Sequence, residues 1–322
     1  MTTRTTHAPM ADAPTYDARD AFAATLAELA RADQRIVAVV NDSVGSSKLG
    51  EFQKEFPERT INVGIAEQTQ VGAAAGLANA GKIPFVSCAG SFLTARAMEQ
   101  VKVDCAYSDY NVKLCAQSPG MGYGNLGATH HSVEDIAWMR AIANMAVVVP
   151  ADHRETGQVI RWAAEHEGPV YIRISRLALP NVTTGNFEFG RASVLARGDD
   201  VTIVANGVVT VRALAAADIL VAEGVTARVL HMPTVKPLDS DAIVAAARET
   251  GAIVTVEEAT AGGALGGAVA ETVCDHHPVP VTRLGVPDVF APTGSEPWLL
   301  DHFGMSPEGI AASCRETIEK KA

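Results

Sequence analysis

The sequence has few cysteines and no long apolar run, and each scarcity excludes a class of protein. Its five cysteines are widely spaced and form no CxxC pair, which argues against a disulfide framework or a zinc site. No run of about 18 apolar residues is present, so no membrane span is predicted. Residues 1–15 lack a long apolar stretch and are interpreted as a loose tail, not a secretory signal. We therefore expect a soluble cytoplasmic protein.

Basic residues are also scarce, and this argues against nucleic-acid binding. The chain has 26 Lys and Arg against 37 Asp and Glu, a formal net charge of −11. A nucleic-acid footprint requires clustered excess Lys and Arg. Aromatic residues make up 5% of the chain, and the 48% hydrophobic content comes mostly from Ala and Val. A length of 322 residues exceeds what one core usually organises, so two domains are expected.

Short β-branched runs alternate with Ala-rich amphipathic segments along the chain. The strand candidates are residues 36–41, 83–89, 112–116, 146–150, 169–174, 201–205, 227–231, 252–256 and 279–284, and the helix candidates include residues 18–31, 67–79, 93–107, 154–166, 212–223 and 262–274. This alternation is typical of βαβ units with buried parallel strands. The pattern fails only over residues 175–200, which are rich in Pro, Asn, Gly and Thr. We therefore predict an α/β protein of two doubly wound domains, residues 1–188 and 189–322.

Three polar or glycine-rich segments follow strands of the first domain: NVGIAEQ (62–68), GSFLTARAMEQ (90–100) and SPGMGYGNLGATHHS (118–132). Ligands of open α/β sheets bind outside the carboxyl ends of the strands, so these segments are the candidate site. Glu67 stands at the head of an Ala- and Gly-rich helix. Apolar surroundings there would let its carboxyl group hold or share a proton, although a first-turn Glu also interacts favourably with the helix dipole.

The third segment contains four glycines and the adjacent pair His130 and His131. Glycines allow a ligand close to the backbone, and His can move protons or bind anions, but a solvated surface turn has the same composition. GYGNLG matches GxGxxG but does not open a helix directly after a first strand, so a dinucleotide site is not predicted. Arg176 follows a strand and either binds an anion or is solvated.

As an ordered set, NVGIAEQ, SFLTARAMEQ, GATHHSVEDIAWMR, VVVPADHRE and GPVYIRISR resemble the pyrimidine-binding domain of thiamine-diphosphate enzymes. ILVAEGVTARVLHMPTVKPLD, IVTVEEATAGGALGGAV and LGVPDVFAPTGSEPWLLDHFGMSPEGI resemble a transketolase C-terminal domain. The resemblance covers residues 16–320. It is closest to the transketolase family, in particular the small, C-terminal-half subunit of split transketolases.

The resemblance implies a role for individual residues. Glu67 matches the glutamate that hydrogen-bonds the aminopyrimidine of thiamine diphosphate and favours its imino tautomer. Ile65 and Phe92 correspond to cofactor-binding positions, with Phe92 stacking on the pyrimidine unless it is an ordinary core residue. Catalysis is implied for Glu67 and His130.

Arg19, Ser46, His130 and Arg176 resemble the positions that hold the substrate and its terminal anion. Arg19 and Ser46 are equally compatible with a solvated helix residue and a plain loop serine.

The sequence departs from the family pattern at three positions. Ser118 replaces an active-site His, Leu126 replaces an Asp that binds a substrate hydroxyl, and Ala89 replaces a second aromatic of the pyrimidine pocket. These changes leave the cofactor residues largely intact. They make the usual sugar-phosphate donors less suitable and a different anion, such as a sulfonate, worth testing.

The family's GDG…N motif, which holds Mg²⁺ or Ca²⁺ and the cofactor diphosphate, is absent from the sequence. The resemblance therefore implies a partner, the N-terminal-half subunit, in an α2β2 heterotetramer, and no metal site in this chain. Three alternatives are open: the β subunit of a 2-oxoacid dehydrogenase-type decarboxylase, a deoxyxylulose-phosphate-synthase-like enzyme, and a non-catalytic regulatory subunit.

Overall fold

The computed structural model describes residues 13–321, so most of the predicted tail, residues 1–15, lies outside the described residues. The strands are β1 (Ile36–Val40), β2 (Thr60–Asn62), β3 (Ile83–Ala89), β4 (Lys113–Gln117), β5 (Ala146–Val148), β6 (Val170–Ile174), β7 (Ser193–Ala196), β8 (Val201–Ala205), β9 (Ala227–His231), β10 (Thr234–Lys236), β11 (Ile253–Thr260) and β12 (Val281–Val286). The helices are α1 (Ala18–Ala32), α2 (Gly50–Glu55), α3 (Glu67–Asn79), α4 (Met98–Gln100), α5 (Asp135–Ala141), α6 (His153–Glu165), α7 (Thr210–Ala222), α8 (Ser240–Thr250), α9 (Leu265–His276), α10 (Glu296–His302) and α11 (Pro307–Ile318). Within residues 13–321, no helix is long and apolar enough to cross a membrane.

The strands form two sheets with helices on both faces. The first has the order β10-β5-β6-β4-β3-β1-β2 and the second β12-β11-β8-β9-β7. All neighbours are parallel except β10 with β5 and β7 with β9. Every residue of β1, β4, β6 and β8 is buried, which explains why none of these strands alternates polar with apolar residues. The predicted α/β class with two doubly wound units is confirmed.

In the first sheet, β1 lies between β2 and β3, so the chain steps to one side of β1 and then to the other. The carboxyl ends of β1 and β3 therefore flank a topological switch point, the usual ligand site of an open sheet. The segments that follow β1, β2, β3, β4 and β6 all meet at this edge.

The predicted helix over residues 93–107 is wrong in its hydrogen-bonding pattern. Two π-helical runs, Phe92–Arg96 and Val101–Tyr107, flank the single turn α4. The apolar spacing of so short a segment does not distinguish helical periods, and π-helical turns are frequent at functional sites.

The helix predicted over residues 262–274 begins later than expected, at Leu265. The Glu257 carboxylate accepts hydrogen bonds from the N–H groups of Leu265 and Gly266 at 2.6 and 2.7 Å. These bonds satisfy free donors of the first turn and define where the helix begins.

Residues 175–200 contain an edge strand, β7, which the sequence pattern did not indicate. The C-terminal half also supplies β10, which pairs antiparallel with β5 and covers the edge of the first sheet. A second contact joins β9 to α6: His231 Nε2 lies 2.8 Å from Glu155 Oε2, and both side chains are buried. The two halves therefore share a sheet and a buried ion pair.

Candidate active site

Glu67 lies at the start of α3, where the chain turns after β2. Gly64 has a φ of +71°, a conformation that favours glycine, and the turn leaves the Ile65 side chain 78% exposed. Glu67 itself is buried. Its Oε1 accepts a hydrogen bond from Asn41 Nδ2 at 2.9 Å and one from Arg96 Nη1 at 3.1 Å. A buried carboxylate is thus held by an amide and a guanidinium.

Phe92 and Arg96 belong to the π-helical run after β3, which brings the two side chains together. The Arg96 guanidinium carbon lies 4.0 Å from the centre of the Phe92 ring, a cation–π contact. Arg96 therefore connects Glu67 to Phe92. An open cavity of about 440 Å³ adjoins this group and is lined by Ile65, Ala66, Glu67, Gln68, Thr69 and Arg96.

His130 extends this group of side chains towards the glycine loop. Its ring meets Phe92 edge-on, with centroids 5.1 Å apart, and the Tyr123 ring at 6.0 Å. His130 Nδ1 lies 2.9 Å from Thr129 Oγ1. The Arg176 guanidinium carbon is 4.7 Å from the centre of the Tyr123 ring. A continuous row of contacts therefore runs from Glu67 through Phe92 and His130 to Arg176.

Arg19 and Ser46 form a second group, at the start of α1. Arg19 donates from Nε and Nη2 to the Asp17 carboxylate, and from Nη1 to the Ser46 carbonyl at 3.0 Å. The Ser46 hydroxyl donates to the Ser43 carbonyl at 3.1 Å. Burial would raise the pKa of Asp17, but the hydrogen bonds from Arg19 and Lys48 outweigh it and lower the pKa. The charge of Arg19 is therefore already matched by a carboxylate.

The three positions that depart from the family pattern lie in different environments. Ser118 is buried with a φ of +51°, and its Oγ lacks a hydrogen-bond partner within residues 13–321. Leu126 lies in the turn Gly124–Leu126 and is 54% exposed. Ala89 ends β3. Neither Ser118 nor Leu126 supplies the charge that the family places there.

Asn41, Arg96 and Tyr123 contribute to this site and were not predicted. Asn41 directly follows β1, and the position after a buried strand was the available signal for it. Arg96 and Tyr123 lie in segments 90–100 and 118–132, but only the π-helical run and the folded loop bring them against Phe92 and His130. Among the described residues, no group of three or more His, Cys, Asp or Glu is placed to hold a metal ion.

Comparisons with known proteins agree with this architecture. The model of the transketolase pyrimidine-binding domain matches residues 14–182, and that of the transketolase C-terminal domain matches residues 190–310. An apulose-4-phosphate transketolase subunit from Phocaeicola vulgatus is 45% identical over 305 residues, which cover 94% of this chain and 97% of that protein. The 6-deoxy-6-sulfo-D-fructose transketolase subunit SqwH from Clostridium sp. is 40% identical over 305 residues, covering 94% and 95%.

Other relatives are longer proteins or solved structures. 1-Deoxy-D-xylulose-5-phosphate synthase 1 from Geobacter sulfurreducens is 38% identical over 306 residues, and the match covers 93% of this chain but 48% of that enzyme. A solved split-gene transketolase, described as an inactive beta4 tetramer, superposes with a TM-score of 0.87 at 42% identity, covering 95% of this chain and 99% of that one. The chain therefore belongs to the transketolase family, a thiamine-diphosphate-dependent family, and carries its pyrimidine-binding and C-terminal domains.

Proposed function

We propose that this chain is the subunit of a split transketolase that contributes the pyrimidine half of the active site. The enzyme would transfer a two-carbon ketol unit from a ketose to an aldose. The observation that supports this most directly is the row of contacts from the buried Glu67 through Phe92 and His130 to Arg176. It sets a buried carboxyl group at one end and a cation at the other, as transfer from an anionic ketose requires.

The residues present fit the aminopyrimidine of thiamine diphosphate. Asn41 Oδ1 is buried beside Glu67 and has no hydrogen-bond partner among the described residues, so it is free to accept one from an amino group. Glu67, Ile65 and Phe92 would hold the ring, Glu67 by a hydrogen bond and the other two by apolar contact and stacking. When bound, the cofactor supplies a nucleophilic carbon and accepts the electrons of the cleaved bond.

The chain's own residues would then bind and orient the cofactor and the substrate. Glu67 would hold a proton at its carboxyl group and share it with a ring nitrogen, and Asn41 and Arg96 would keep that carboxyl group in place. His130 Nδ1 is engaged with Thr129, so Nε2 is the atom we assign to the substrate. The contact between Asn41 and Glu67 is buried, and this low-dielectric setting strengthens it.

We assign the substrate's terminal anion first to Arg176, because its planar guanidinium suits a phosphate or a sulfonate. Two relatives are named for sugars of this kind. One name contains a sugar phosphate, apulose-4-phosphate, and the other contains a sulfonated sugar, 6-deoxy-6-sulfo-D-fructose. Arg19 and Ser46 remain proposed ligands at the outer end of the channel. The Arg19 guanidinium already donates to the Asp17 carboxylate. An anion that binds Arg19 would therefore have to displace this carboxylate or share the guanidinium with it.

The proposal includes a partner, the N-terminal-half subunit with a GDG…N motif, which would supply the diphosphate site and Mg²⁺ or Ca²⁺ in an α2β2 assembly in the cytoplasm. Apolar side chains next to the site support a protein contact. Ile65, Val103 and Tyr107 are 78%, 45% and 85% exposed, and an apolar groove of about 820 Å³ lies beside Tyr107 and Trp138. Exposed apolar surface of this kind marks interaction sites.

The test is ketol transfer by the reconstituted pair with wild-type chain and with Glu67→Gln. Gln preserves the size of the side chain but cannot hold the proton, so we expect kcat to fall by at least ~10²-fold, the low end of acid–base contributions. Asp42→Asn, an exposed carboxylate near the same strand end, is the matched control and should retain activity. A fully active Glu67→Gln enzyme would contradict the proposal. It would also be the result expected of a non-catalytic regulatory subunit.

The match to 1-deoxy-D-xylulose-5-phosphate synthase supports a second candidate, a synthase that uses pyruvate. A 2-oxoacid dehydrogenase-type β subunit would use a 2-oxoacid as well. Assays with pyruvate and with a ketose phosphate as donors separate these from a transketolase. Turnover of pyruvate with no transfer from any ketose would replace our proposal by one of these alternatives.

A further inference from the structure

The residues at the start of α1 lie beside the segment that carries Arg176. Tyr16, just before α1, forms a β-bridge with Leu179: the Tyr16 N–H donates to the Leu179 carbonyl at 2.9 Å, and the Leu179 N–H donates to the Tyr16 carbonyl at 3.1 Å. Leu179 lies three residues after Arg176, and Arg19 lies three residues after Tyr16. The two arginines that we assign to the substrate's anion therefore stand on segments that are bonded to each other.

The Arg19 guanidinium is already engaged by a carboxylate. Its Nε lies 3.1 and 3.2 Å from the two Asp17 carboxylate oxygens, and its Nη2 lies 2.6 Å from Asp17 Oδ2. Its Nη1 donates to the Ser46 carbonyl at 3.0 Å. Two parallel hydrogen bonds from a guanidinium are also the geometry in which arginine binds a phosphate. Asp17 therefore takes the position that a ligand's anionic group would take on this arginine.

Asp17 is held there by further contacts. Its Oδ1 caps α1 by accepting the Arg19 N–H at 2.9 Å, and its Oδ2 lies 3.0 Å from Lys48 Nζ. Lys48 Nζ also lies 2.8 Å from Asp20 Oδ1. Burial would raise the pKa of Asp17, but the bonds from Arg19 and Lys48 outweigh it, so Asp17 is ionised at neutral pH. These two cations and two carboxylates form a cluster with no net charge.

Arg176 is in a different situation. Its guanidinium carbon lies 4.7 Å from the centre of the Tyr123 ring, and within residues 13–321 it forms no salt bridge. Burial raises the pKa of Glu296 to about 7 and the charge of Arg176 opposes that rise, but no bond joins these two side chains. Of the two arginines, Arg19 is thus neutralised by a bonded carboxylate and Arg176 is not. The site offers a terminal group one uncommitted cation.

We propose that Asp17 is a specificity-determining residue that sets how much negative charge the donor's terminal group can carry. A terminal group that reaches Arg19 must displace the Asp17 carboxylate or lie beside it, and the resulting repulsion grows with the charge of that group. A phosphate monoester carries about −1.5 to −2 at neutral pH, whereas a sulfonate carries a single negative charge. Asp17 therefore disfavours a phosphate relative to a sulfonate on the same sugar.

This role of Asp17 rests on the proposed function, because it names the class of anion that the same site prefers. Asp17 acts through Arg19 and touches no reacting atom. Its removal should therefore change the affinity for charged donors and leave the chemical step alone.

The test is ketol transfer by the reconstituted pair at about pH 8, where a phosphate monoester is a dianion. Three donors are compared: erythrulose, a ketohexose phosphate, and the same ketohexose with a sulfonate in place of the phosphate. Asp17→Asn keeps an oxygen that caps α1 and removes the charge. We expect kcat/KM to rise about tenfold for the phosphate, the size of one charge-assisted hydrogen bond, and about threefold for the sulfonate. The gain should lie in KM, and erythrulose should show none.

Asp20→Asn is the matched control, because Asp20 pairs with Lys48 in the same cluster but does not bond Arg19. It removes the same charge from an exposed position, where solvent and salt screen it, and should leave the ratios between donors as in the wild type. Arg19→Met removes the residue through which Asp17 acts, so adding Asp17→Asn to it should have no further effect. If Asp17→Asn is unstable, Asp17→Ser keeps a capping oxygen on a shorter, uncharged side chain and should give the same order of donors.

An equal change for all three donors, or a gain that persists in the Arg19→Met background, would overturn this role of Asp17. If the pair transfers a ketol unit from no ketose at all, the proposed function fails. The role of Asp17 is then decided by NMR titration of the complete chain with glycerol phosphate and with methanesulfonate. Asp17→Asn should bind glycerol phosphate about tenfold more tightly than the wild type, with a smaller gain for methanesulfonate. Unchanged binding of glycerol phosphate would overturn it.

Discussion

Arg96 offers the sharpest single test of the site, because it contacts both Glu67 and Phe92. Its Nη1 lies 3.1 Å from Glu67 Oε1 and its guanidinium 4.0 Å from the Phe92 ring centre. The Glu67 side chain is 5% exposed and that of Arg96 51%. Arg96→Met removes the charge and keeps much of the apolar stem. The perturbation is therefore confined to these two contacts.

The magnitude follows from that geometry. Removing one partner of a fully buried ion pair costs about 3–5 kcal/mol. Because Arg96 is half-exposed and its charge is partly screened by solvent, we expect the loss of this pair to cost about 1–2 kcal/mol. The cation–π contact adds about 0.5–1 kcal/mol at such exposure. If both contacts serve to hold Glu67 and Phe92 in place, kcat/KM for ketol transfer should fall by about tenfold to a hundredfold.

The assays are kcat/KM and saturable thiamine-diphosphate binding by calorimetry, both with the reconstituted pair. Arg96→Lys should recover part of the loss, since it restores a charge but not the planar group. Arg31→Met is the control, because Arg31 is about as exposed as Arg96 and pairs with Glu55 away from the site. Unchanged activity and unchanged cofactor affinity in Arg96→Met would refute the reasoning.

Three further outcomes are expected. The isolated chain should show no saturable thiamine-diphosphate binding by calorimetry, because the diphosphate and metal ligands are assigned to the partner; micromolar binding would contradict the split site. Arg176→Lys should lower kcat/KM by about tenfold to a hundredfold for a phosphorylated ketose and little for erythrulose; equal losses would place the anion elsewhere. His231→Gln should lower the free energy of unfolding, measured in denaturant, by about 3–5 kcal/mol near pH 6, since it removes the charged partner of the buried Glu155 carboxylate. Burial opposes but Glu155 raises the pKa of His231, so the pair's contribution is complete below about pH 6.5 and lost as pH rises through the raised pKa. A deficit that did not shrink at high pH would argue against the ion pair.

The candidate site residues were largely visible in the sequence, because most of them follow a predicted strand or begin a predicted helix. Glu67, Phe92 and His130 lie in the predicted segments, Arg176 lies just after a predicted strand, and the structure joins the four in one row. Which of them bind cofactor and substrate stays a prediction. Arg19 and Ser46 are also adjacent, but the sequence did not indicate that Asp17, two residues before Arg19, engages its guanidinium.

What the sequence alone determined is local. Buried parallel strands are mostly apolar and do not alternate, and loops after strands collect polar residues, because these patterns depend on neighbours along the chain. The tertiary structure decided everything that depends on distant pairing. It placed β10 on the first sheet, fixed Asn41 and Arg96 on Glu67, and set Glu258 and Gly294 against the glycines of residues 118–132. A carboxylate's partners, burial and protonation are set by residues that fold against it from far along the chain, and no local pattern contains that information.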